Sequence, residues 1–506
     1  MSRKSPRPPK DDSAPPVEPA PAAAATADEG LRRLLMRLAA GLFFAGFVVA
    51  VAAVLVRPER VVLIGMDARE ADWYRGSLKV FVDQHHANLK FVAYDSAAQF
   101  DSLLAADHRS RSPRIVLVEA PMDRLAALVD SGAVRPLRSL PGLQEPAPFL
   151  APFADAARGP AILGGTAYFI PSRLTTVCLC YSKARVADAV AHASEARPSV
   201  EAWLRDANGI GLPADYRLED DPSQWDSYDL LMVAAYWASS PFVDGTAPRV
   251  AHVTAPPSAL AFDLAARAFS MGAQGDAVLA LDGFGVRDAL AWESLFFAHG
   301  LYDTAMASGA WNEEQVAAGV ATGRIWLATL EPATILRLHG LAGAPSHAHP
   351  VNSDIGLARM PRGVSLELAK RHPERSGDPW SARGGHWWAV PTKSPDPTLA
   401  LAIVRRSTTP EFQVDAARAL GWLPTRKDLV DDLVGIYRDP EEYELARQAA
   451  RQLHDFGRSL PNTARWNASA SAFAAAWSDA CVRRHFMKPL ELAEALRLAQ
   501  AAQAAH

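Results

Sequence analysis

Charged side chains follow two short apolar runs near the start of the chain. Asp67 and Arg69 come after Val61–Ile64, and Glu119 comes directly after Ile115–Val118. Carboxylate and guanidinium groups can hold a polar ligand through hydrogen bonds, without a covalent step. Charges in such positions also occur as solvated loop groups or helix caps, and that interpretation stays open. We expect Asp67, Arg69 and Glu119 to contact a ligand.

Aromatic pairs at irregular points form a second group of candidate contacts. Tyr236-Trp237 leads toward a Ser-Ser-Pro turn, and His386-Trp387 follows two consecutive glycines. A flat aromatic face suits the apolar face of a sugar ring, and glycine allows a ligand close to the backbone. Packing in a core is the alternative for each aromatic residue. Tyr236, Trp237, His386 and Trp387 are predicted to form one wall of a ligand cleft.

Enzyme motifs are missing from the sequence. It contains no GxSxG elbow, no HExxH, no P-loop and no GxGxxG behind a strand. His347 and His349 could be drawn as a metal site with Asp354, but on a loop next to Pro and Gly such a pair is more often solvated. No carboxylate spacing singles out a glycosidase pair. We therefore expect no catalytic residue, no metal and no cofactor.

Three apolar runs are short enough to be buried parallel strands. They are Val61–Ile64, Phe91–Ala93 and Ile115–Val118, and stretches with helical spacing separate them. Asp95-Ser96 is typical of a helix cap before the second of these helices. Alternation of strand and helix predicts an α/β fold with a parallel sheet. In such sheets ligands bind at the carboxyl ends of the strands, where the predicted charged residues lie.

An apolar run near the N-terminus predicts a membrane anchor. Residues 1–30 are rich in Pro, Ala and charge and predict a disordered tail. Leu38–Val56 is apolar throughout and would span about 28 Å as a helix, close to the thickness of a bilayer. Basic residues concentrated before the run place the N-terminus in the cytoplasm. Cleavage after Ala50-Val51-Ala52 is the alternative to a retained helix over 31–57.

Composition bounds the partners. The formal charge of −4 comes from acidic and basic residues that are scattered along the chain. The sequence has no long run of basic residues that could bind nucleic acid. With 506 residues, the chain is too long for one core and predicts two or more lobes. Cys178 and Cys180 stand two apart in a predicted strand, which places them poorly for a disulfide.

Four segments in order resemble family 1 extracellular solute-binding proteins, the maltose-binding-protein-like group. One resembles the family's strand, acidic residue and helix, one its crossover strand, one its Gly-Gly-Trp-Gly-x-Ala-(Ile/Val)-Pro motif and one its Leu-Pro-Thr-Arg-Lys-Asp-Leu motif. They are, in chain order, Ile115–Leu137, Ala167–Val186, Asp354–Gly363 with Gly384–Pro397, and Pro410–Val430. Arg173 and Leu174 depart from the family pattern, which has small polar or acidic residues there.

The resemblance implies a two-lobed, periplasmic-binding-protein-like α/β fold over 58–506 with discontinuous lobes. Lobe I would comprise about 60–170 and 325–365, and lobe II about 171–324 and 384–506. The chain would cross between them near 170–175, 322–326 and 363–383.

The implied function is capture of a small-molecule solute, expected to be a carbohydrate, outside the inner membrane for the permease of an ATP-binding-cassette (ABC) importer, by hinge closure and without catalysis. A membrane-tethered sensory or scaffolding protein with the same fold is the first alternative. A membrane-tethered hydrolase is the second.

Overall fold

The computed structural model describes residues 24–55, 58–94, 96–239, 249–302, 305–308, 311–340, 352–368, 377–463 and 465–504. It divides into two compact units, Met1–Glu59 and Arg60–His506. Asp95, His347 and His349 lie outside the described residues.

The first unit contains one helix, α1 (Ala24–Leu55), in its described part. It begins before the predicted boundary at residue 31, because Ala24–Glu29 is rich in alanine, the strongest helix former. Residues 1–23 of the predicted tail lie outside the described residues. Among the residues available for the search, no helix combines the length and apolarity needed to cross a membrane. The side chains of 48–55, in the second half of the predicted span, lie outside that description.

The strands of the second unit are built from β-branched and apolar runs. In its described part they are β1 (Arg60–Ile64), β2 (Leu89–Ala93), β3 (Ile115–Pro121), β4 (Ile162–Leu163), β5 (Thr166–Ala167), β6 (Ile170–Thr176), β7 (Cys178–Ser182), β8 (Val250–Ala251), β9 (Leu327–Leu330), β10 (Ile355–Ala358), β11 (Ser381–Ala389) and β12 (Gly457–Ser459).

The first sheet has the order β12-β11-β3-β1-β2, with β6 also paired to β11. Strand β1 runs parallel to β2 and to β3, with Val62 opposite Phe91 on one side and Leu117 on the other. The prediction of a parallel sheet from these three runs is confirmed. Val62 and Leu117 are fully buried, as expected for strands that are covered on both faces.

The second sheet has the order β10-β7-β9-β8. The chain passes from the first sheet to the second at Val177, between β6 and β7, and returns between β10 and β11. Each sheet is the centre of one lobe of a two-lobed α/β fold, called here the first lobe and the second lobe.

This strand pairing differs from the predicted distribution of the later segments. Strands β9 and β10, within 325–365, pair in the second sheet, and β11 and β12, within 384–506, pair chiefly in the first. The crossing expected at 322–326 is absent from the described strands, since β8 and β9 pair with each other. Backbone pairing leaves no mark in the order of apolar runs, so the sequence could not show it.

The helices cover both sheets. The α-helices described between β1 and β8 are α2 (Ala68–Ser77), α3 (Lys79–Gln84), α4 (Ala97–Arg109), α5 (Leu125–Asp130), α6 (Pro146–Leu150), α7 (Asp155–Arg158), α8 (Lys183–His192), α9 (Arg197–Asn208) and α10 (Ser227–Ser239). The remainder of the described helices are α11 (Pro257–Ser270), α12 (Gly275–Ala280), α13 (Phe284–Ala298), α14 (Glu313–Ala321), α15 (Pro332–His339), α16 (Pro397–Ser407), α17 (Pro410–Leu420), α18 (Lys427–Val430), α19 (Leu433–Ile436), α20 (Pro440–His454), α21 (Trp466–Ala476) and α22 (Pro489–Ala504).

Two packing contacts matter for the site. Helix α11 packs on β11, so a helix of the second lobe contacts the first sheet. Helix α21 packs on α11. The three cysteines, Cys178, Cys180 and Cys481, are free thiols buried in the core, and burial raises the pKa of each above its ordinary value.

Candidate ligand-binding cleft

A cleft of about 790 Å³ lies between the two lobes. Its first-lobe wall is formed where β1, β2 and β3 end, by Gly65–Asp67, Tyr94 and Pro121–Asp123. Its second-lobe wall is formed by the starts of α14 and α15. This position agrees with the rule that open parallel sheets bind ligands beyond the carboxyl ends of their strands.

Glu119 lies beneath the first-lobe wall rather than on it. Its carboxylate accepts hydrogen bonds from the Gly65 backbone N–H (3.0 Å) and the Ser172 hydroxyl (2.6 Å), and the residue is fully buried. Burial raises the pKa of Glu119 above its ordinary value, although Arg173 acts in the opposite direction. Glu119 therefore positions the turn after β1 and the crossover strand β6.

Gly65 is required by the close packing around that turn. A Cβ atom at this position would collide with the Tyr94 hydroxyl and the His386 ring, both of which line the cleft. Gly65 directly follows β1 and has no side chain, so Tyr94, just after β2, and His386 of β11 can approach each other over the end of β1.

A buried ion-pair network crosses the cleft at Glu70. Its carboxylate lies 3.1 Å from Arg337 Nη1 and 3.5 Å from Arg173 Nη1, and it accepts a 3.1 Å hydrogen bond from the Trp422 indole N–H. Burial alone would raise the pKa of Glu70, but Arg173, Arg337 and Trp422 together lower it. Because Glu70 is on α2 and Arg337 is on α15, the network joins the first lobe to the second.

The second-lobe wall carries a close pair of glutamates. The Glu331 backbone N–H donates to Glu313 Oε1 at 3.3 Å, and both residues line the cleft. Burial, followed by the charge of Glu313, raises the pKa of Glu331 to about 8. Glu331 is therefore protonated at neutral pH, and a neutral carboxyl group both donates and accepts hydrogen bonds.

Aromatic rings from both lobes also line the cleft. Tyr94 and Trp422 come from the first lobe, Phe262 comes from α11 and Trp466 from the start of α21. The Arg173 guanidinium carbon lies 4.8 Å from the centre of the Trp422 ring, which holds that indole in place. The cleft thus combines flat apolar faces with carboxyl, guanidinium and imidazole groups.

Residues 78–444 match the sequence profile described as bacterial extracellular solute-binding protein. The chain belongs to this family. The resemblance found in the sequence is confirmed. A comparison with characterised curated proteins finds no significant match.

Solved structures of sugar-binding proteins share the fold. Maltose-bound MalE3 of T. maritima has a TM-score of 0.62 at 15% identity, and the match covers 88% of this chain and 99% of that one. The GacH receptor of Streptomyces glaucescens, solved unliganded and with acarbose, has a TM-score of 0.63 at 15% identity, covering 88% and 97%. The maltotriose-bound protein of Thermus thermophilus has a TM-score of 0.59 at 15% identity, covering 88% and 99%.

In this solute-binding fold, two of the predicted site residues reach the cleft surface. Asp67 lines it, but its carboxylate also caps α2: Oδ1 accepts from the Glu70 N–H at 2.7 Å, and the Asp67 N–H donates to Glu70 Oε2 at 3.1 Å. His386 lines the cleft, and burial with the nearby Arg173 holds its pKa well below the ordinary value. The imidazole is therefore neutral and can both donate and accept.

Arg69 does not line the cleft. It follows Asp67 on the first turn of α2, where it is half-buried beside Arg337. Burial, followed by the charge of Arg337, lowers its pKa. The helix turns Arg69 away from the position that Glu70 takes, and Glu70 is the α2 residue that faces the cleft.

The aromatic wall predicted from Tyr236, Trp237 and Trp387 is corrected. Trp237 is 2% exposed and packs edge-on against Trp326, and the Tyr236 hydroxyl donates to Asp188 Oδ2 at 3.2 Å. Both belong to α10, which is buried along most of its length. Trp387 is fully buried, and its indole N–H donates to the Ala157 carbonyl oxygen at 2.9 Å. Neighbouring residues of a strand point to opposite faces, so His386 faces the cleft and Trp387 the core.

The sequence reasoning missed the residues that dominate the cleft's charge. Arg173 had a signal, since it departs from the family pattern in the crossover strand. Trp422 stands within the recognised Pro410–Val430 segment but resembles an ordinary core tryptophan. Nothing in the sequence around Glu331 or Arg337 marked these residues as part of the cleft. Within the described residues, no group of three or more His, Cys, Asp or Glu side chains is arranged to hold a metal ion.

Proposed function

We propose that this protein captures a carbohydrate outside the inner membrane and delivers it to the permease of an ABC importer. The observation that carries the proposal is the mixed lining of the cleft: aromatic faces from both lobes beside a neutral carboxyl group and a neutral imidazole. Sugars present apolar ring faces and many hydroxyl groups, which such a lining matches. Solved neighbours of the same fold are described with bound maltose, acarbose and maltotriose.

Tyr94 and Trp422 supply stacking faces on the first lobe, and Phe262 and Trp466 supply them on the second. Glu331 and His386 satisfy hydroxyl groups in either direction, because each can donate and accept a hydrogen bond. No bond in the ligand is broken, so binding is reversible. Asp67 contributes an exposed carboxylate edge at the cleft mouth.

Closure of the lobes over the ligand completes the proposed cycle. The chain crosses between the sheets at Val177 and again between β10 and β11, and after β12 it returns to the second lobe at α21. A few loop dihedral angles at these crossings can absorb a rotation. Since a ligand held by both walls contacts them together only when they are close, it favours the closed arrangement. The closed form is the species proposed to dock on the permease.

The apolar run Leu38–Val56 is proposed, from its sequence, to hold the chain at the membrane. Leu38–Val56 is uniformly apolar and follows Arg32, Arg33 and Arg37. With the N-terminus in the cytoplasm, the two lobes stand on the outer side. Tethering confines the protein near the permease.

The test is a thermal-shift screen of the full-length protein against sugars and polyols, with amino acids and polyamines as competing classes. A ligand at 100 times its dissociation constant stabilises by about 2.7 kcal/mol. Trp466→Ala should weaken the sugar by about ten-fold, because a stacked ring contributes roughly 0.5–1.5 kcal/mol beyond its burial. Trp203→Ala is the matched control, since Trp203 stacks on His299 outside the cleft. Stabilisation by another class alone, or equal losses in both variants, would contradict the carbohydrate proposal.

A further inference from the structure

Carboxyl groups outnumber guanidinium groups along the ligand cleft. In its described lining the guanidinium groups belong to Arg173 and Arg337, whereas carboxyl groups come from both lobes. Besides Glu70, these are Asp67 and Asp123 on the first lobe and Asp263, Glu313, Glu314 and Glu331 on the second. The charge that a ligand should carry depends on which of these carboxyl groups are already paired with a cation.

Both guanidinium groups of the lining have carboxylate partners near the first lobe. Arg337 Nη1 lies 3.1 Å from Glu70 Oε1. Arg173 lies 3.5 Å from Glu70 and 3.7 Å from the buried carboxylate of Glu119. The two cations are therefore balanced by two acidic residues, and the other carboxyl groups of the cleft must find partners elsewhere.

Arginines behind the cleft walls neutralise some of the remaining carboxyl groups. Asp263 accepts a 2.8 Å hydrogen bond from Arg267 Nε. Arg124, next to Asp123 in sequence, instead lies 3.3 Å from Asp101. Among the described residues, no ion pair within 4.0 Å is formed by Asp123, nor by the glutamates at the starts of α14 and α15. The cleft thus keeps an excess of acidic groups on both walls.

Glu313 and Glu331 form a close pair on the second-lobe wall. The Glu331 backbone N–H donates to Glu313 Oε1 at 3.3 Å. Glu313 is the first residue of α14, where the helix dipole favours a negative charge. Burial and this neighbouring charge raise the pKa of Glu331 to about 8. The charge of Glu70 acts in the same direction, whereas Arg173 and a hydrogen bond with Thr175 act against it. Glu331 therefore holds a proton at neutral pH.

The proton on this pair takes the place of a cation. Two carboxyl groups that share a site ionise together only when a positive charge lies beside them. An ammonium group supplies that charge and donates up to three charge-assisted hydrogen bonds. A divalent metal ion needs more oxygen ligands, and in the part of the chain that the structure describes no three His, Cys, Asp or Glu side chains are grouped to hold one. An organic ammonium group is the cation that suits the pair.

We propose that the cleft selects carbohydrates that carry a free ammonium group, and that Glu313 and Glu331 hold this group. The inference rests on the proposed function and names the class of sugar. A hydroxyl group at this point leaves the proton on Glu331, whereas an ammonium group replaces that proton, which passes to solvent. Sugars with a phosphate or carboxylate group are disfavoured, because they meet acidic groups on both walls.

Isothermal titration calorimetry of the full-length protein at pH 6.5 and constant ionic strength tests the proposal. The probes are glucosamine, glucose and N-acetylglucosamine, with putrescine as an ammonium compound that lacks a sugar ring. Glucosamine should bind about ten-fold or more tightly than the two neutral sugars, since hydrogen bonds between charged groups are the stronger ones. Titrations in two buffers of different ionisation enthalpy should show release of close to one proton with glucosamine and none with glucose.

Glu331→Gln separates charge from shape at this position. The amide has the size of the neutral carboxyl group and also donates and accepts hydrogen bonds, so the variant should fold. It should remove the proton release and reduce the preference for glucosamine over glucose by about ten-fold, while the affinity for glucose stays the same. Glu313→Gln should also weaken glucosamine. Glu411→Gln is the matched control, since Glu411 is an exposed acidic residue in the first turn of α17 and lies outside the cleft lining.

The possible failures of the two proposals can be told apart. Equal affinities for glucosamine and glucose would overturn the inference and leave the carbohydrate proposal standing. A preference for glucosamine that survives Glu331→Gln, or that comes without proton release, would overturn the assignment to this pair. Binding of putrescine and of no sugar would overturn the carbohydrate proposal, and the inference with it. Binding of none of the probes would overturn the inference.

Discussion

At the scale of single residues, the cleft is lined by groups whose protonation is governed by burial and by neighbouring charges. Burial, followed by the charge of Glu313, raises the pKa of Glu331 to about 8, so this carboxyl group is mostly protonated at neutral pH. His386 is neutral because burial and Arg173 disfavour a second positive charge. Glu70 remains charged because two guanidinium groups share its carboxylate. Charge is thus concentrated at the ion-pair network, while groups suited to hydroxyl recognition are uncharged.

Glu331 should make the protein less stable as the pH rises. Its folded-state pKa, about 8, is above the unfolded value near 4.3, so the folded state binds an extra proton between these limits. The stability that Glu331 contributes is therefore fully present below the unfolded pKa and is lost as the pH rises through the folded pKa of about 8. Glu331→Gln should remove at least about 1.4 kcal/mol of that fall, the equivalent of one pKa unit. Urea unfolding at pH 5.5 and 8.5 measures it, and parallel pH slopes in both proteins would disprove it.

At the scale of elements, the sequence predicted the strands of the first sheet and the edge at which the cleft lies. The runs at β1, β2 and β3 are apolar, and stretches with helical spacing separate them. This alternation predicted the three strands and their parallel pairing. Asp67 and His386 could be placed at the cleft because each stands at a strand end or behind glycines. Residues on helices could not be placed, since the face that a helix presents to a cleft depends on packing. Arg69 and Glu70 are neighbours in sequence, yet only Glu70 faces the cleft.

Trp237 shows why an aromatic pair misleads. It stands just before Ala238-Ser239-Ser240-Pro241, a sequence that predicted an irregular cleft wall, but Trp237 lies within α10, which is buried along most of its length. Trp237→Ala should lower the free energy of unfolding by about 3–5 kcal/mol through loss of packing, and it should leave ligand affinity unchanged. Denaturant unfolding combined with ligand titration checks both parts. If Trp237→Ala weakens ligand binding and leaves the free energy of unfolding unchanged, Trp237 belongs to the ligand site and the prediction is wrong.

At the scale of the whole molecule, the contact between Glu70 and Arg337 links the two lobes, which separate to admit a ligand in the proposed hinge motion. Arg337→Gln removes the second-lobe partner while Arg173 and Trp422 still satisfy Glu70. The ligand-free variant should therefore sample more open arrangements. Small-angle scattering should give it a larger radius of gyration than the unaltered protein, and both should contract with saturating ligand. A radius that ligand leaves unchanged would indicate a fixed groove.

The placement of the lobes outside the membrane is a second prediction at this scale. A reporter that is active only after export, fused behind His506, should be active. The membrane fraction should contain the full-length chain, because the apolar run is retained. Mature protein that begins near Ala53 and is released from membranes would replace the anchor with a cleaved signal and leave the binding proposal intact.

The buried thiols make the protein convenient for single-molecule fluorescence. Cys178, Cys180 and Cys481 are enclosed, and their raised pKa values keep them protonated, so maleimide dyes react with them slowly in the native state. Cysteines introduced at the exposed positions Ala105 and Ala187, on α4 and α8, would carry a donor and an acceptor without removal of the native thiols. Energy transfer between these dyes would follow lobe rotation in one molecule at a time, and the labelled protein would serve as an optical sensor for its own ligand.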